Sequence, residues 1–78
     1  MQKANLTELY KCVSKHFGGQ DKAAEALGIS QSSVGDWCRG KTRMSPVSAA
    51  KVQKQTNGQF LAINLCPELK QVFEILEI

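Results

Sequence analysis

The stretch Gln20-Asp21-Lys22-Ala23-Ala24-Glu25-Ala26-Leu27-Gly28-Ile29-Ser30-Gln31-Ser32-Ser33-Val34-Gly35-Asp36-Trp37-Cys38-Arg39 sets the terms on which the rest of the chain is read. Its first eight residues are rich in alanine, the strongest helix former. They stop at Gly28, the residue type that most readily takes a left-handed cap. Ser30 is a favoured N-cap for a following helix, which runs from Gln31 to about Arg39 and halts at Gly40. Each apolar or small residue then has a steric task. Ala24 lets the two helices approach, Gly28 bends the turn, and Leu27, Ile29, Val34 and Trp37 lock the second helix down. Small, glycine, apolar and apolar at Ala24, Gly28, Val34 and Trp37 is the spacing of a helix-turn-helix, here residues 20–39.

Working outward, Leu6, Leu9, Tyr10, Val13 and Phe17 follow helical spacing and predict a first helix over 6–17. Asn5 with Glu8 fits a variant capping box, and Gly18-Gly19 ends the helix. His16, near its end, reads as a surface residue favoured by the helix dipole. After the motif, Ser45-Pro46 predicts an N-cap followed by proline at the first helical position, with that helix stopping at Asn57-Gly58. Residues 59–65 are apolar and fit either a short extended segment or a connector. Pro67 opens a last helix from Glu68 to about Glu77, with Leu69, Val72, Phe73 and Leu76 on one stripe. The expected fold is all-α, five short helices in a single domain spanning 1–78.

Composition narrows the function. The chain has 78 residues, 42% of them hydrophobic, and carries a formal charge of +3. It is long enough for one small core and too compositionally ordinary for a disordered tail. No apolar run spans a membrane and no signal peptide opens the chain, so a cytoplasmic protein is expected. Cys12, Cys38 and Cys66 are too widely spaced for a metal clamp and odd in number, and read as small buried thiols. With one histidine and no nucleotide- or hydrolase-type motif, an enzyme is not expected, nor is a cofactor, a metal or a small-molecule ligand.

Charge is unevenly placed. Residues 1–58 hold nine basic and four acidic side chains, whereas residues 59–78 hold one and three. Between Trp37 and Pro67 no acid occurs, while Arg39, Lys41, Arg43, Lys51 and Lys54 do. That is the pattern of one surface facing a polyanion and another facing elsewhere. On the second helix of the motif, Gln31, Ser32, Ser33, Gly35, Asp36 and Arg39 are expected to be exposed. The start of such a helix can enter the DNA major groove, where Gln31 can pair with adenine and Ser32 with several base edges. Gly35 reads either as a close approach to the groove or as a helix-weakening surface glycine. Asp36 either accepts from a cytosine amino group or pairs with Arg39 three residues on. Phosphate contacts are expected from Gln20 at a helix start, and from Lys22, Ser33, Arg39, Lys41, Thr42 and Arg43, although Thr42 also fits a plain loop hydroxyl. One such motif reads few base pairs, which argues for two copies. The tail 59–78, with Phe60, Leu61, Ile63, Phe73, Ile75 and Ile78, is the candidate dimer contact, or else completes the monomer core.

Residues 23–31, Trp37, Ser45-Pro46 through Thr56-Asn57-Gly58, and Cys66-Pro67-Glu68-Leu69 together resemble the small Cro-type repressors of temperate phages and the related YdaS-like regulators of prophages. The resemblance covers about two-thirds of the chain and is most specific over the helix-turn-helix. It implies a lambda-repressor-like helical domain that binds a palindromic double-stranded operator as a homodimer and represses a promoter, residing on the nucleoid when bound. By position it implies base reading by Gln31, Ser32 and Asp36 and phosphate contact by Gln20. Gly35 and Asp36 depart from the family's longer polar side chains, so no operator sequence follows. Two other functions compatible with the same residues are an antitoxin-type regulator that also neutralises a partner toxin, and a helical protein-interaction module that does not touch DNA.

Overall fold

A computed structural model describes residues 6–76, apart from the side chains of Phe73 and Leu76. Asn5 of the expected capping box and Ile78 of the expected dimer contact lie outside the described residues. Six helices are formed: α1 (Leu6–Phe17), α2 (Gln20–Leu27), α3 (Gln31–Cys38), α4 (Pro46–Gln55), α5 (Ala62–Leu65) and α6 (Glu68–Leu76). Among the described residues there is no strand, so the expectation of an all-α chain holds. Among the described residues the helices number six, not five. They fall into two compact units, residues 1–43 and 44–78.

In the first unit α1, α2 and α3 pack on one another in every pairing. Tyr10, Val13, Ala23, Ala24, Leu27, Val34, Trp37 and Cys38 are buried there, while Leu6, Leu9 and Phe17 flank them half-buried. Cys12 corrects the expectation of three buried thiols, because it is exposed. It lies about 200° around α1 from Tyr10, on the polar side. His16 is exposed as expected, its ring edge-on to Phe17 at 5.2 Å.

Gly28 closes α2 at φ 69°, with the Ile29 N–H donating to the Ala24 carbonyl at 3.0 Å and the Gly28 N–H to Glu25 at 3.3 Å. This closure satisfies carbonyls that the helix end would otherwise strand. Ser30 then starts α3, its Oγ accepting from the Ser33 N–H at 3.2 Å. Gly40, after α3, has φ 76°, and a Cβ there would stand 2.9 Å from Thr7 Oγ1 on α1. Gly28 has open space around the same position. Gly28→Ala is therefore expected to cost only the left-handed backbone strain, about 1–2 kcal/mol. Gly40→Ala adds a collision and is expected to cost more. Urea midpoints test the order, and a Gly28→Ala variant as weak as Gly40→Ala would refute it.

In the second unit Ser45 caps α4 by accepting from the Ser48 N–H at 3.2 Å, with Pro46 in the first turn. Ala49, Val52, Ala62 and Leu65 are buried. Thr56 fastens the end of α4: its hydroxyl donates to the Val52 carbonyl at 2.8 Å and accepts from the Phe60 N–H at 3.2 Å. The unforeseen helix α5 follows from a remote partner. Leu61 is extended, but the Gln53 side chain, nine residues upstream, accepts the Ala62 N–H at 2.8 Å. Cys66 Sγ donates to Glu68 Oε1 at 3.4 Å, and burial, reinforced by that carboxylate, pushes the Cys66 thiol pKa up. In α6 Leu69 is half-buried and Val72 is 45% exposed, so Val72 does not join the buried stripe expected for it. No described helix is long and apolar enough to cross a membrane.

Candidate nucleic-acid interface

The side chains expected to meet DNA lie in the first unit, on α2, the turn, α3 and the segment up to Arg43. Gln31 and Ser32 are exposed at the start of α3. Ser33 is half-buried and its hydroxyl lies 3.0 Å from that of Ser30, so it takes part in the cap. Asp36 forms the intramolecular partner of its two readings: Arg39 Nη2 donates to Asp36 Oδ1 at 2.6 Å across one helical turn. Four supporting residues, Ala24, Leu27, Val34 and Trp37, are buried, with the Trp37 ring 6.0 Å from that of Tyr10. Ile29 is half-buried and Gly28 is exposed in the turn.

Gly35 is buried, not exposed as expected. A Cβ there would lie 3.1 Å from Arg39 Nη1 and 3.2 Å from Gln20 Oε1, because these two long side chains close over it. The absent side chain thus lets the start of α2 meet the end of α3. The result is a shallow depression of about 290 Å³ lined by Gln20, Gln31, Ser32, Gly35 and Arg39. Sequence spacing missed this convergence, since Gln20 and Gly35 are brought together only by the fold. Gly35→Ala should gain about 0.5–1 kcal/mol of helix preference while displacing two flexible side-chain ends. A raised melting temperature together with a shifted Gln20 side-chain amide resonance is expected; an unchanged resonance would contradict the close approach.

Gly19 offers α2 no side-chain cap, and Asp21 in the first turn accepts the Lys22 N–H at 2.9 Å, answering part of the positive end beside Gln20. Lys22, Lys41, Thr42 and Arg43 are exposed and outside the depression. The Lys41 and Thr42 N–H groups both donate to the Asp36 carbonyl, at 2.9 and 3.5 Å, which turns the chain back after α3. Among the described residues no group of three or more His, Cys, Asp or Glu side chains is gathered for a metal. Of the expected dimer contacts, Phe60 and Ile63 are half-buried, whereas Leu61 and Ile75 are 44% and 66% exposed. Phe73 lies on α6, its side chain outside the description.

The family model described as "Bacterial toxin YdaS" matches residues 10–73. The "Regulatory protein cro" of Pseudomonas phage D3 is 48% identical over 62 residues, which is 80% of this chain and 85% of that protein. The "Putative transcriptional regulator YdaS" of Escherichia coli K12 is 29% identical over 69 residues, 88% of this chain and 68% of that protein. No solved structure matches the chain. Both relatives are named as regulators and neither as an enzyme. With a match over most of its length and the helix-turn-helix inside it, the chain belongs to the YdaS family, in company with the Cro protein of phage D3.

Proposed function

We propose that this chain is a sequence-specific DNA-binding repressor of phage or prophage transcription. In this reading α3 enters the major groove, where Gln31 and Ser32 meet base edges. Gln20, Lys22, Lys41, Thr42 and Arg43 hold the flanking phosphates, and Arg39 joins them when it leaves Asp36. Ser33 supports the cap and reaches phosphate only through its second lone pair. The bound protein blocks polymerase by occupying the promoter. The observation that carries the reading is the capped α2–turn–α3 unit, with Gln31 and Ser32 outward beside Gln20 and Arg39. The likeness to a Cro regulatory protein supports it.

A homodimer on a palindromic operator is part of the proposal, residues 1–78 acting as one DNA-binding domain with the tail 59–78 as the contact. The exposed Leu61, Val72 and Ile75 support that assignment. Selection of binding sites from random duplex tests these points together. Expected is a pair of inverted half-sites; a single half-site would overturn the dimer. No enrichment, with no duplex retained at low salt, would overturn DNA binding and leave a protein-interaction module.

The description of the family as a bacterial toxin favours a second reading, in which the same DNA-binding activity harms the host when the chain is overproduced. Growth arrest on induction that Gln31→Ala relieves would support it. Arrest unaffected by that substitution would place any toxicity elsewhere.

A further inference from the structure

Gln20 and Arg39 also line a larger, open cavity of about 690 Å³, together with Lys11, Ser14, Lys15 and Cys38. Three of these six side chains are cationic, and no carboxylate lines the space. Lys15 makes no ion pair among the described residues, and Lys11 reaches Glu8 only at 3.6 Å. Ser14 and Cys38 are 6% and 8% exposed, and no hydrogen bond from either side chain is formed among the described residues. Among the described residues no buried side-chain oxygen or nitrogen is left unpaired, so the Ser14 hydroxyl keeps its opening to the cavity. At about 690 Å³ the open space has room for more than a lone oxyanion.

We propose that this cavity binds a small organic phosphate, its oxyanion held by Lys11, Lys15 and Arg39 with the Ser14 hydroxyl donating from the wall. Lys11 and Lys15 have no part in the DNA contacts assigned above, so the site extends beyond that face. Arg39 and Gln20 line both places. An occupant that draws Arg39 away from Asp36 and from the depression weakens DNA binding, and this coupling rests on the repressor reading.

Titration with phenyl phosphate at constant ionic strength, followed by amide resonances, tests the site without DNA. Expected are saturable shifts centred on Ser14, Gln20, Cys38 and Arg39. Affinity should fall about tenfold in Lys11→Ala/Lys15→Ala, the loss of roughly one charge-assisted hydrogen bond, and should also fall in Ser14→Ala. Shifts that potassium chloride reproduces, or that survive in both variants, would overturn the site. Duplex affinity is then measured with and without saturating phenyl phosphate and is expected to drop. Unchanged duplex affinity would overturn the coupling. Saturable phosphate binding by a protein that retains no duplex would leave this site standing and sink the repressor reading instead.

Discussion

Trp37→Ala is expected to unfold the first unit at room temperature, seen as lost far-UV helical signal. The indole is 5% exposed and its ring sits 6.0 Å from that of Tyr10, so it ties α3 to α1. Truncating a buried tryptophan to alanine costs about 3–5 kcal/mol, through lost burial and the cavity left behind. A chain of this length has a total stability near the low end of about 5–15 kcal/mol, so the loss takes most of it. Trp37→Phe keeps an aromatic ring beside Tyr10 and is expected to remain folded with a lowered melting point. A Trp37→Ala melt lowered by less than about 5 °C, the worth of roughly one kcal/mol in a small domain, would refute the packing argument.

The second large effect separates Gln31 from Arg43. On the selected operator, Gln31→Ala is expected to cost about 1–3 kcal/mol. Random duplex should be held as before, because an amide that reads a base edge adds little to a phosphate-dominated complex. Arg43 is exposed beyond α3 and is assigned to the phosphate chain. Its replacement by alanine should weaken both duplexes alike and flatten the log–log salt slope by about one. Fluorescence anisotropy at several salt concentrations supplies both quantities. Equal losses from the two substitutions on both duplexes would falsify the division of roles.

The motif was legible because its signals are local. Ser30 and Ser45 cap the helices that follow them, Gly28 closes the one before it, and the stripe through Tyr10 and Val13 faces inward. What escaped the sequence depends on partners distant along the chain. Helix α5 begins where the Gln53 side chain receives the Ala62 N–H, and no periodicity within 59–65 reports that bond. Gly35 reads as a surface residue until Gln20 arrives from α2 to cover it. Val72 fits a helical stripe by spacing, yet it is 45% exposed, because spacing along one helix does not report what packs against it. The residues of the candidate site were nameable from the motif, whereas the Asp36–Arg39 pairing was one of two open readings that geometry alone could separate.

The hydrogen bonds that secure the turn between α2 and α3 are main-chain bonds at Gly28 and Ile29 and the Ser30–Ser33 cap. None of those contacts involves the side chains of Gln31 or Ser32, so the residues proposed to read bases are not those that hold the turn. Nearly any pair of helix-compatible residues can occupy those two positions without loss of folding. Under the proposed base-reading role of Gln31 and Ser32, a lineage built on this plan changes its target through two codons while keeping its fold.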